Sequence, residues 1–428
     1  MWRYSKSEEW LARAENTIPL GSQTFSKSRT QYPVGISPLY LERGKGAYVW
    51  DIDGNKYIDL GSALASVTLG YADKSMNAAI TRQLKRGISL SLPAKLEAEV
   101  AEKLVEIIPS AEMVRFGKNG TDATSAAVRL ARAYTGRDVI LACGYHGWQD
   151  WYIGATSRNK GVPKSVSALT KTFPFNDLDF LRRLVAQFDG KIAAIVLEPM
   201  NAVFPLNGFL QEVKNIAHTA GALLIFDETI TGFRFSKGGA QELFKVTPDL
   251  STFGKGMANG MPLSAVVGRR DIMMEMEQIF FSGTFGGELL SLAAANYVID
   301  RYINDSVAEK LFEIGGKLSS EVIKLIESLN LQDTLFLTGH ETWKFLNWKD
   351  SSGYDAHAIK TYFLQEMFLN NILLLSTHNV NASIKENEIE LIIRSYGSSL
   401  MKLSNVMRSG KLLEELKANP IKPLFTIR

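Results

Sequence analysis

The chain has a single cysteine, Cys143, among its 428 residues, so no disulfide can form within it. An internal disulfide framework is therefore excluded, and a lone thiol is typical of the reducing cytoplasm. No apolar run approaches the roughly 20 residues of a membrane-spanning helix. The most apolar runs, such as residues 192–197, have the length of strands. We therefore expect a cytoplasmic protein without membrane contact.

Charge of one sign is also scarce, since 48 Lys and Arg face 45 Asp and Glu and leave a net charge of +3. This balance favours neither nucleic acid nor an anionic membrane as a partner. Residues 1–10 lack the apolar core of a signal peptide, and we find no solenoid repeat. The apolar content of 46% is ordinary for a globular protein, whereas the length suggests more than one lobe.

Between about residues 95 and 300, short apolar runs alternate with stretches of helical periodicity. This alternation predicts a largely parallel sheet covered by helices. An Asp-Gly pair at residues 53–54, between two β-prone runs, predicts a hairpin. The predicted strands of the alternating region are 113–116, 139–142, 193–197, 223–226 and 263–267, and its predicted helices are 96–108, 121–134 and 210–219.

The remaining chain predicts a smaller α+β lobe. It has a helix at 7–16 before the hairpin, and helices at 309–329 and 354–370 with weaker strands between and after them. We accordingly predict an N-terminal segment (1–60) that is part of the small lobe, a large domain (61–310) and a C-terminal small domain (311–428).

Several short segments could build a binding site at the end of the predicted strands. Asn119, Gly120 and Thr121 lie between a strand and a helix, where free N–H groups and the helix dipole favour an anion such as phosphate. The same segment is also typical of an ordinary capped helix. Tyr145 and His146 follow the next strand, where an aromatic ring could cover a cofactor or simply occupy a turn.

Charged residues follow three further runs. Glu198 and Asp227 each end an apolar strand, and Lys255 lies in a glycine-flanked segment after them. Thr284 stands in a small-residue loop, 282–287, that could supply another hydroxyl to a phosphate or be only a tight turn. A lone lysine in such a segment is usually solvated. An aspartate followed by a lysine is, however, the pair that pyridoxal phosphate (PLP) chemistry needs, because the lysine forms a Schiff base and the aspartate keeps the pyridine nitrogen protonated.

With these motifs in this order, the chain resembles the fold-type I, class III PLP-dependent aminotransferases, and among them most closely the glutamate-1-semialdehyde 2,1-aminomutases. The resemblance is dense from about residue 39 to 295 and looser beyond. The stretches that carry it are 44–48, 53–55, 119–123, 129–132, 145–147, 198–199, 226–228, 231–234, 248–249 and 254–255.

The resemblance implies an α/β fold with a mostly parallel seven-stranded sheet in a PLP-binding large domain. It implies Lys255 as the Schiff-base lysine, with Asp227 at the pyridine nitrogen and Tyr145 as the third catalytic residue. It also implies a homodimer with shared active sites, in which Thr284 reaches the phosphate of the neighbouring subunit. The residues implied to contact pyridoxal 5'-phosphate are Asn119, Gly120, Thr121, Tyr145, His146, Glu198, Asp227, Thr229, Lys255 and Thr284; no metal is implied.

Three segments depart from the aminomutase pattern where substrate would be recognised: residues 21–29, residues 198–201, which lack the usual Ala-Gly-Asn continuation after the Glu-Pro pair, and residues 376–382. We therefore predict an intermolecular transaminase that takes an amino group from an amino acid, glutamate being the expected donor. As acceptor, the resemblance to similar sequences suggests a polar carbonyl compound, such as a sugar. Intramolecular transfer on glutamate semialdehyde is the alternative, and decarboxylation, racemisation or a non-catalytic role stay open.

Overall fold

The computed structural model describes residues 3–422. Contacts within the chain divide these residues into two compact units. The first unit comprises the residues up to Asp73 and those from Lys310 onward, and the second runs from Lys74 to Glu309. The division into three domains, 1–60, 61–310 and 311–428, stays a prediction.

The described strands and helices are numbered in chain order. The strands are β1 (Leu41–Lys45), β2 (Tyr48–Asp51), β3 (Lys56–Asp59), β4 (Met113–Gly117), β5 (Val139–Cys143), β6 (Thr170–Thr172), β7 (Ile192–Leu197), β8 (Leu223–Asp227), β9 (Leu250–Phe253), β10 (Ser264–Gly268), β11 (Leu335–His340), β12 (Trp343–Trp348), β13 (Ile372–Leu373) and β14 (Thr377–Asn379). The helices are α1 (Ser5–Glu15), α2 (Ser62–Ala65), α3 (Lys74–Leu84), α4 (Lys95–Ile107), α5 (Gly120–Thr135), α6 (Asp150–Ile153), α7 (Lys164–Ser167), α8 (Leu178–Gln187), α9 (Phe209–Thr219), α10 (Ala240–Phe244), α11 (Arg270–Met273), α12 (Leu289–Asn304), α13 (Val307–Ser328), α14 (Ala356–Leu369), α15 (Glu386–Arg408) and α16 (Leu412–Glu415).

The second unit is built on a seven-stranded sheet in the order β4-β10-β9-β8-β7-β5-β6. Strand β10 runs antiparallel to both of its neighbours, and every other pair is parallel. The predicted fold, an α/β protein with a mostly parallel seven-stranded sheet, is therefore confirmed.

The central strands β5, β7 and β8 are buried at every residue, as expected for parallel strands with both faces covered. One face packs with α5 into a cluster that includes Ile140, Val196 and Ile225. The other face packs with α9 into a cluster that includes Leu141 and Ile195. Two apolar layers thus hold the sheet and fix the positions of the loops at its edges.

Two strands of this sheet, β6 and β9, were not predicted from the sequence. Strand β9 is not recognisable from the sequence because the polar residues Ser251 and Thr252 interrupt its apolar run. In the structure both are fully buried. The Ser251 hydroxyl pairs with that of Ser110 at 2.9 Å and accepts a hydrogen bond from Gln241. A buried polar strand is tolerated because each of these hydroxyls has a hydrogen-bond partner.

The first unit contains two smaller sheets, ordered β1-β2-β3-β13 and β11-β12-β14. The hairpin predicted around residues 53–54 is confirmed, since β2 and β3 pair antiparallel and Gly54 has the positive φ of 92° that the turn requires. The predicted helix 354–370 corresponds to α14, whereas the 23-residue α15 was not predicted. Among residues 3–422, no helix combines the length and apolar character needed to cross a bilayer.

The packing of β7 leads to a stability prediction. Ile195 is fully buried in the centre of the sheet, so Ile195→Ala leaves a cavity and should destabilise the protein by about 2–5 kcal/mol. Ile323, on α13, is 39% exposed, and Ile323→Ala is the matched control, with an expected loss of less than about 1 kcal/mol. Urea unfolding of both variants measures the difference; equal losses would contradict the assigned burial.

Candidate active site

The polar residues predicted to form the site meet at one edge of the seven-stranded sheet. Strands β5, β7, β8 and β9 are parallel, so their carboxyl ends lie at the same edge, where ligands bind in open α/β folds. Glu198 follows β7, Asp227 ends β8 and Lys255 comes two residues after β9. Strand β4 leads to Gly120. It runs in the same direction as β9, because β10 lies between them and is antiparallel to both.

Asp227 is buried and fully engaged in hydrogen bonds. Its Oδ2 lies 2.9 Å from Nδ1 of His146. Its Oδ1 accepts hydrogen bonds from the backbone N–H of Thr229 at 3.1 Å, from the Thr229 hydroxyl at 2.5 Å and from the Thr252 hydroxyl at 3.0 Å. Burial alone would raise the pKa of Asp227, but the bonds from His146 and Thr229 outweigh it and lower the pKa. The carboxylate is therefore held in its charged form.

His146 is buried, with acceptors on both sides of its ring. Its Nε2 lies 3.1 Å from the backbone carbonyl of Cys143, which can only accept, and its Nδ1 faces the Asp227 carboxylate. Both hydrogen bonds form only when both ring nitrogens carry a proton. The sequence left open whether His146 covers a ring or occupies a turn; in the structure its ring lies against the Asp227 carboxylate, to which Nδ1 is hydrogen-bonded.

Glu198 is the second buried carboxylate at this edge. Its Oε2 accepts hydrogen bonds from the backbone N–H of Tyr145 at 2.9 Å and from Nδ2 of Asn201 at 2.8 Å. Burial, followed by repulsion from Asp227, raises the pKa of Glu198. Asn201, one of the departures from the aminomutase pattern, thus holds Glu198 in place.

Lys255 is partly buried, and its amine makes no hydrogen bond or ion pair with any residue in the described range 3–422. Burial lowers its pKa to about 8, with Glu198 and Asp227 acting in the opposite direction and buried Arg234 adding to the decrease. At pH 7 about a tenth of such an amine is unprotonated, far more than of an ordinary lysine, and the unprotonated form is the one that acts as a nucleophile or a general base.

The backbone at Lys255 is strained. Its φ of 42° lies in the left-handed region, which costs free energy for a residue with a side chain and persists only where the surroundings enforce it. Lys255 is the first residue of a 3₁₀ turn, Lys255–Ala258, and the three residues after it are buried. The fold therefore directs this lysine in a fixed orientation.

The start of α5 is the segment predicted to be an anion cradle. The Asp122 side chain accepts hydrogen bonds from the backbone N–H groups of Lys118 at 3.1 Å and Asn119 at 2.8 Å. The N–H groups of Gly120 and Thr121 have no hydrogen-bond partner among residues 3–422, and the buried Oγ1 of Thr121 has none either. Unpaired donors at a helix N-terminus are the arrangement that binds a phosphate.

Close packing keeps this cradle free of side chains. A Cβ on Gly120 would lie 2.8 Å from Cγ2 of Thr229, and one on Gly254 would lie 3.4 Å from the same methyl group. A Cβ on Gly147 would lie 2.5 Å from Oγ1 of Thr121. The Thr229 hydroxyl is bonded to Asp227, so its methyl group is the part that faces the two glycines.

Tyr145 is the predicted aromatic residue with an open ring, since 47% of it is exposed. It packs edge-on against Tyr152, with ring centroids 5.8 Å apart. Burial of the hydroxyl, followed by Asp227 and Glu198, raises the pKa of Tyr145. Of the two candidates for a ring-covering residue, Tyr145 has the exposed face and His146 does not.

The loop with Thr284 lies beside the cradle but points to solvent. Its start is fixed to β4 and α5, because Arg115 and Arg129 donate hydrogen bonds to the carbonyls of Phe281 and Phe280. Its end is fixed by Glu288, which pairs with Lys118 at 3.0 Å. Thr284 itself is exposed.

One residue of the site was not found by sequence reasoning. Thr252 donates to Asp227 from the neighbouring strand β9. The sequence does show a threonine shortly before Lys255. Its contact with Asp227 could have been predicted only if β9 had been recognised as a strand beside β8.

Comparisons with known proteins agree with this geometry. Residues 31–333 match the family model described as Aminotransferase class-III. The glutamate-1-semialdehyde 2,1-aminomutase of Syntrophobacter fumaroxidans is 40% identical over 306 residues, which cover 67% of this chain and 71% of the relative.

Solved structures are similar over almost the whole chain. An omega-transaminase from Sphaerobacter thermophilus has a TM-score of 0.85 at 26% identity, with 93% of this chain and 97% of the other covered. The FumI protein of Sphingopyxis sp. MTA144, solved in its PLP internal aldimine form, has a TM-score of 0.89 at 26% identity, with 97% and 99% covered.

These findings confirm the resemblance and the cofactor predicted from the sequence, pyridoxal phosphate. The residues present fit that cofactor. The unpaired N–H groups of Gly120 and Thr121 suit its phosphate, the free amine of Lys255 suits its aldehyde, and the charged Asp227 suits its ring nitrogen.

The pKa of Lys255 leads to a pH prediction. Covalent uptake of PLP by the cofactor-free protein needs the unprotonated amine, so its rate should rise with pH. The midpoint should be about 8, rather than the 10.5 of an ordinary lysine. Stopped-flow absorbance on mixing with PLP measures the rate, and Lys255→Ala, which should lack this phase, is the control. A midpoint near that of an ordinary lysine would contradict the assigned environment.

Proposed function

Since the chain belongs to the class III aminotransferase family, we propose that it is a transaminase that moves an amino group from an amino-acid donor, expected to be glutamate, to a separate carbonyl acceptor. The observation that carries the proposal is the amine of Lys255, which has no partner in the described part of the chain, at the sheet edge that also holds Asp227 and Glu198. Binding alone would not need an amine with a lowered pKa beside a charged carboxylate.

Lys255 has two proposed tasks. As an unprotonated amine it would be the group that holds PLP covalently. The same amine would also be the general base and acid that moves the proton of the substrate carbon that bears nitrogen. Bound PLP supplies the electron-withdrawing ring that makes this proton acidic.

Asp227 is proposed to face the pyridine nitrogen and keep a proton on it. Its negative charge is secured by the hydrogen bonds from His146, Thr229 and Thr252, so that it does not take up this proton itself. His146 acts through Asp227 and is a positioning residue.

The remaining cofactor contacts are proposals supported by position. Gly120 and Thr121 would bind the phosphate, with Asn119 beside them at the exposed start of the helix. The exposed ring of Tyr145 would cover one ring face and the Thr229 methyl group the other. Glu198 would stay at the edge of the site, held by Asn201.

A homodimer with shared sites is also part of the proposal. Thr284 is exposed, and the phenylalanines near it, Phe280 and Phe285, are 82% and 59% exposed. Large exposed aromatic side chains beside a polar hydroxyl are typical of a surface that another chain covers. Thr284 would then reach the phosphate of the partner subunit. A cytoplasmic location likewise stays a prediction.

Intermolecular transfer is favoured by the departures at residues 21–29, 201 and 376–382, and by the similarity to an omega-transaminase. The runner-up is intramolecular transfer on glutamate semialdehyde, which the 40% identical aminomutase favours.

The donor can be tested in the first half of the reaction. PLP-loaded protein mixed with L-glutamate alone should form 2-oxoglutarate, one equivalent per active site, while the visible cofactor band is lost. Lys255→Ala is the negative control. Formation of no 2-oxoglutarate, together with rearrangement of glutamate semialdehyde in the absence of any other donor, would replace this proposal by the runner-up.

The role of Asp227 can be tested separately. Asp227→Asn keeps the size of the side chain but loses its charge, so PLP should still bind while turnover falls by at least about a hundredfold. Asp179→Asn is the matched control, because the Asp179 side chain is 83% exposed, and it should be unchanged. Near-normal turnover of Asp227→Asn would show that another group supports the ring nitrogen.

A further inference from the structure

The two carboxylate oxygens of Asp227 are used unequally by the surrounding protein. Oδ1 accepts three hydrogen bonds, from the backbone N–H of Thr229 at 3.1 Å, from the Thr229 hydroxyl at 2.5 Å and from the Thr252 hydroxyl at 3.0 Å. Oδ2 has one hydrogen bond, with Nδ1 of His146 at 2.9 Å. Among residues 3–422, no other group is hydrogen-bonded to either oxygen.

This difference decides where Asp227 can accept a further hydrogen bond. An ionised carboxylate offers about two acceptor positions on each of its oxygens. Three donors fill Oδ1, whereas a single donor on Oδ2 leaves about one position open. Asp227 therefore has room for one additional donor, and that donor binds at Oδ2.

Thr252 is held beside Oδ1 by the pairing of two strands. It lies on β9 as the register partner of Asp227 on β8, and its carbonyl accepts a hydrogen bond from the backbone N–H of Glu228 at 2.9 Å. The residue is fully buried, and within the described chain its hydroxyl bonds Asp227 alone. The hydroxyl is therefore fixed on Oδ1 by the backbone of the sheet.

Thr229 has a separate task for each branch of its side chain. Its hydroxyl bonds Asp227 and no other described residue. Its methyl group lies 2.8 Å from the position of a Cβ on Gly120 and 3.4 Å from that of a Cβ on Gly254. A β-branched side chain has few rotamers, and here both of its branches are engaged. The hydroxyl thus stays on Oδ1 while the methyl group faces the start of α5.

Hydrogen bonds to a carboxylate make it a weaker base, because they stabilise its charged form more than its neutral form. Burial raises the pKa of Asp227, and the hydrogen bonds from His146 and Thr229 more than reverse this effect. A weaker base competes less well for a proton that is shared with it. Donors on Oδ1 therefore act on a proton that is bound at Oδ2.

We propose that Thr229 and Thr252 are positioning residues for the proton of the cofactor nitrogen. Their hydroxyls occupy Oδ1 of Asp227, so that the ring nitrogen of PLP donates to Oδ2 and keeps its proton. This inference rests on the proposed function, because it takes Asp227 as the partner of the ring nitrogen. It goes further by dividing the carboxylate into one oxygen that the protein fills and one that receives the cofactor.

The position of this proton can be measured by ¹⁵N NMR of the full chain loaded with PLP that is labelled at its ring nitrogen. Thr229→Val removes the hydroxyl and keeps the methyl group, whereas Thr229→Ser does the reverse. Loss of one donor to a charged acceptor should shift the proton equilibrium about tenfold or more toward the carboxylate. The resonance of Thr229→Val should therefore move toward that of an unprotonated nitrogen, and Thr229→Ser should keep the resonance of the unaltered protein.

Thr252→Val removes the other hydroxyl from the same oxygen and should move the resonance in the same direction. Thr135→Val is the matched control, because the Thr135 hydroxyl bonds the carbonyl of Ala131 on its own helix at 2.7 Å, and it should leave the resonance unchanged. Thermal midpoints identify the folded variants, and Thr252→Val decides the question if Thr229→Val does not fold. An unchanged resonance in a folded Thr229→Val or Thr252→Val variant overturns the proposal, and so does an equal shift in Thr135→Val.

The same spectra separate this inference from the proposed function. A ring nitrogen that carries no proton in the unaltered protein would contradict the role of Asp227 and thus both proposals. A protonated nitrogen that does not respond to loss of the hydroxyls would overturn this inference alone, because formation of 2-oxoglutarate from glutamate tests the amino transfer itself.

Discussion

The charged state of the buried Asp227 is the constraint on which the rest of the site depends. A carboxylate taken out of water stays ionised only if hydrogen bonds and a counter-charge replace the solvent. Here the ring Nδ1 of His146 and the hydroxyls of Thr229 and Thr252 are hydrogen-bonded to the carboxylate. His146 follows β5, Thr229 follows β8 and Thr252 lies in β9, so these partners meet around Asp227 only when the parallel strands are assembled.

The same constraint explains why the other groups are where they are. With the negative charge fixed, a ring nitrogen facing Asp227 stays protonated, and an amine placed at the next strand end can act on a substrate carbon. Lys255 meets that requirement through burial, which lowers its pKa to about 8, and through a strained backbone that sets its direction. Thr229 links the two ends of the site, because its hydroxyl bonds Asp227 while its methyl group packs on Gly120.

Much of the fold and of the site could be predicted from the sequence, because a polar residue that ends an apolar run, such as Asp227, can be recognised from the sequence pattern alone. Residues whose meaning lies in a distant partner were not. His146 was ambiguous because its partner is 81 residues away, and β9 was missed because its buried Ser251 and Thr252 look like loop residues until Ser110 and Asp227 are placed beside them. Asn379 was noted only as part of a segment that departs from a family pattern; the lack of a hydrogen-bond partner for its Oδ1 within residues 3–422 is a property of the fold.

The most direct test of the central claim is to locate the cofactor chemically. The PLP-loaded protein is reduced with borohydride, digested, and its peptides are sequenced by mass spectrometry. The account predicts a pyridoxyl group on Lys255 and on no other lysine. A label on a different lysine, or none after saturation with PLP, would contradict the assignment of Lys255 and with it the role given to Asp227.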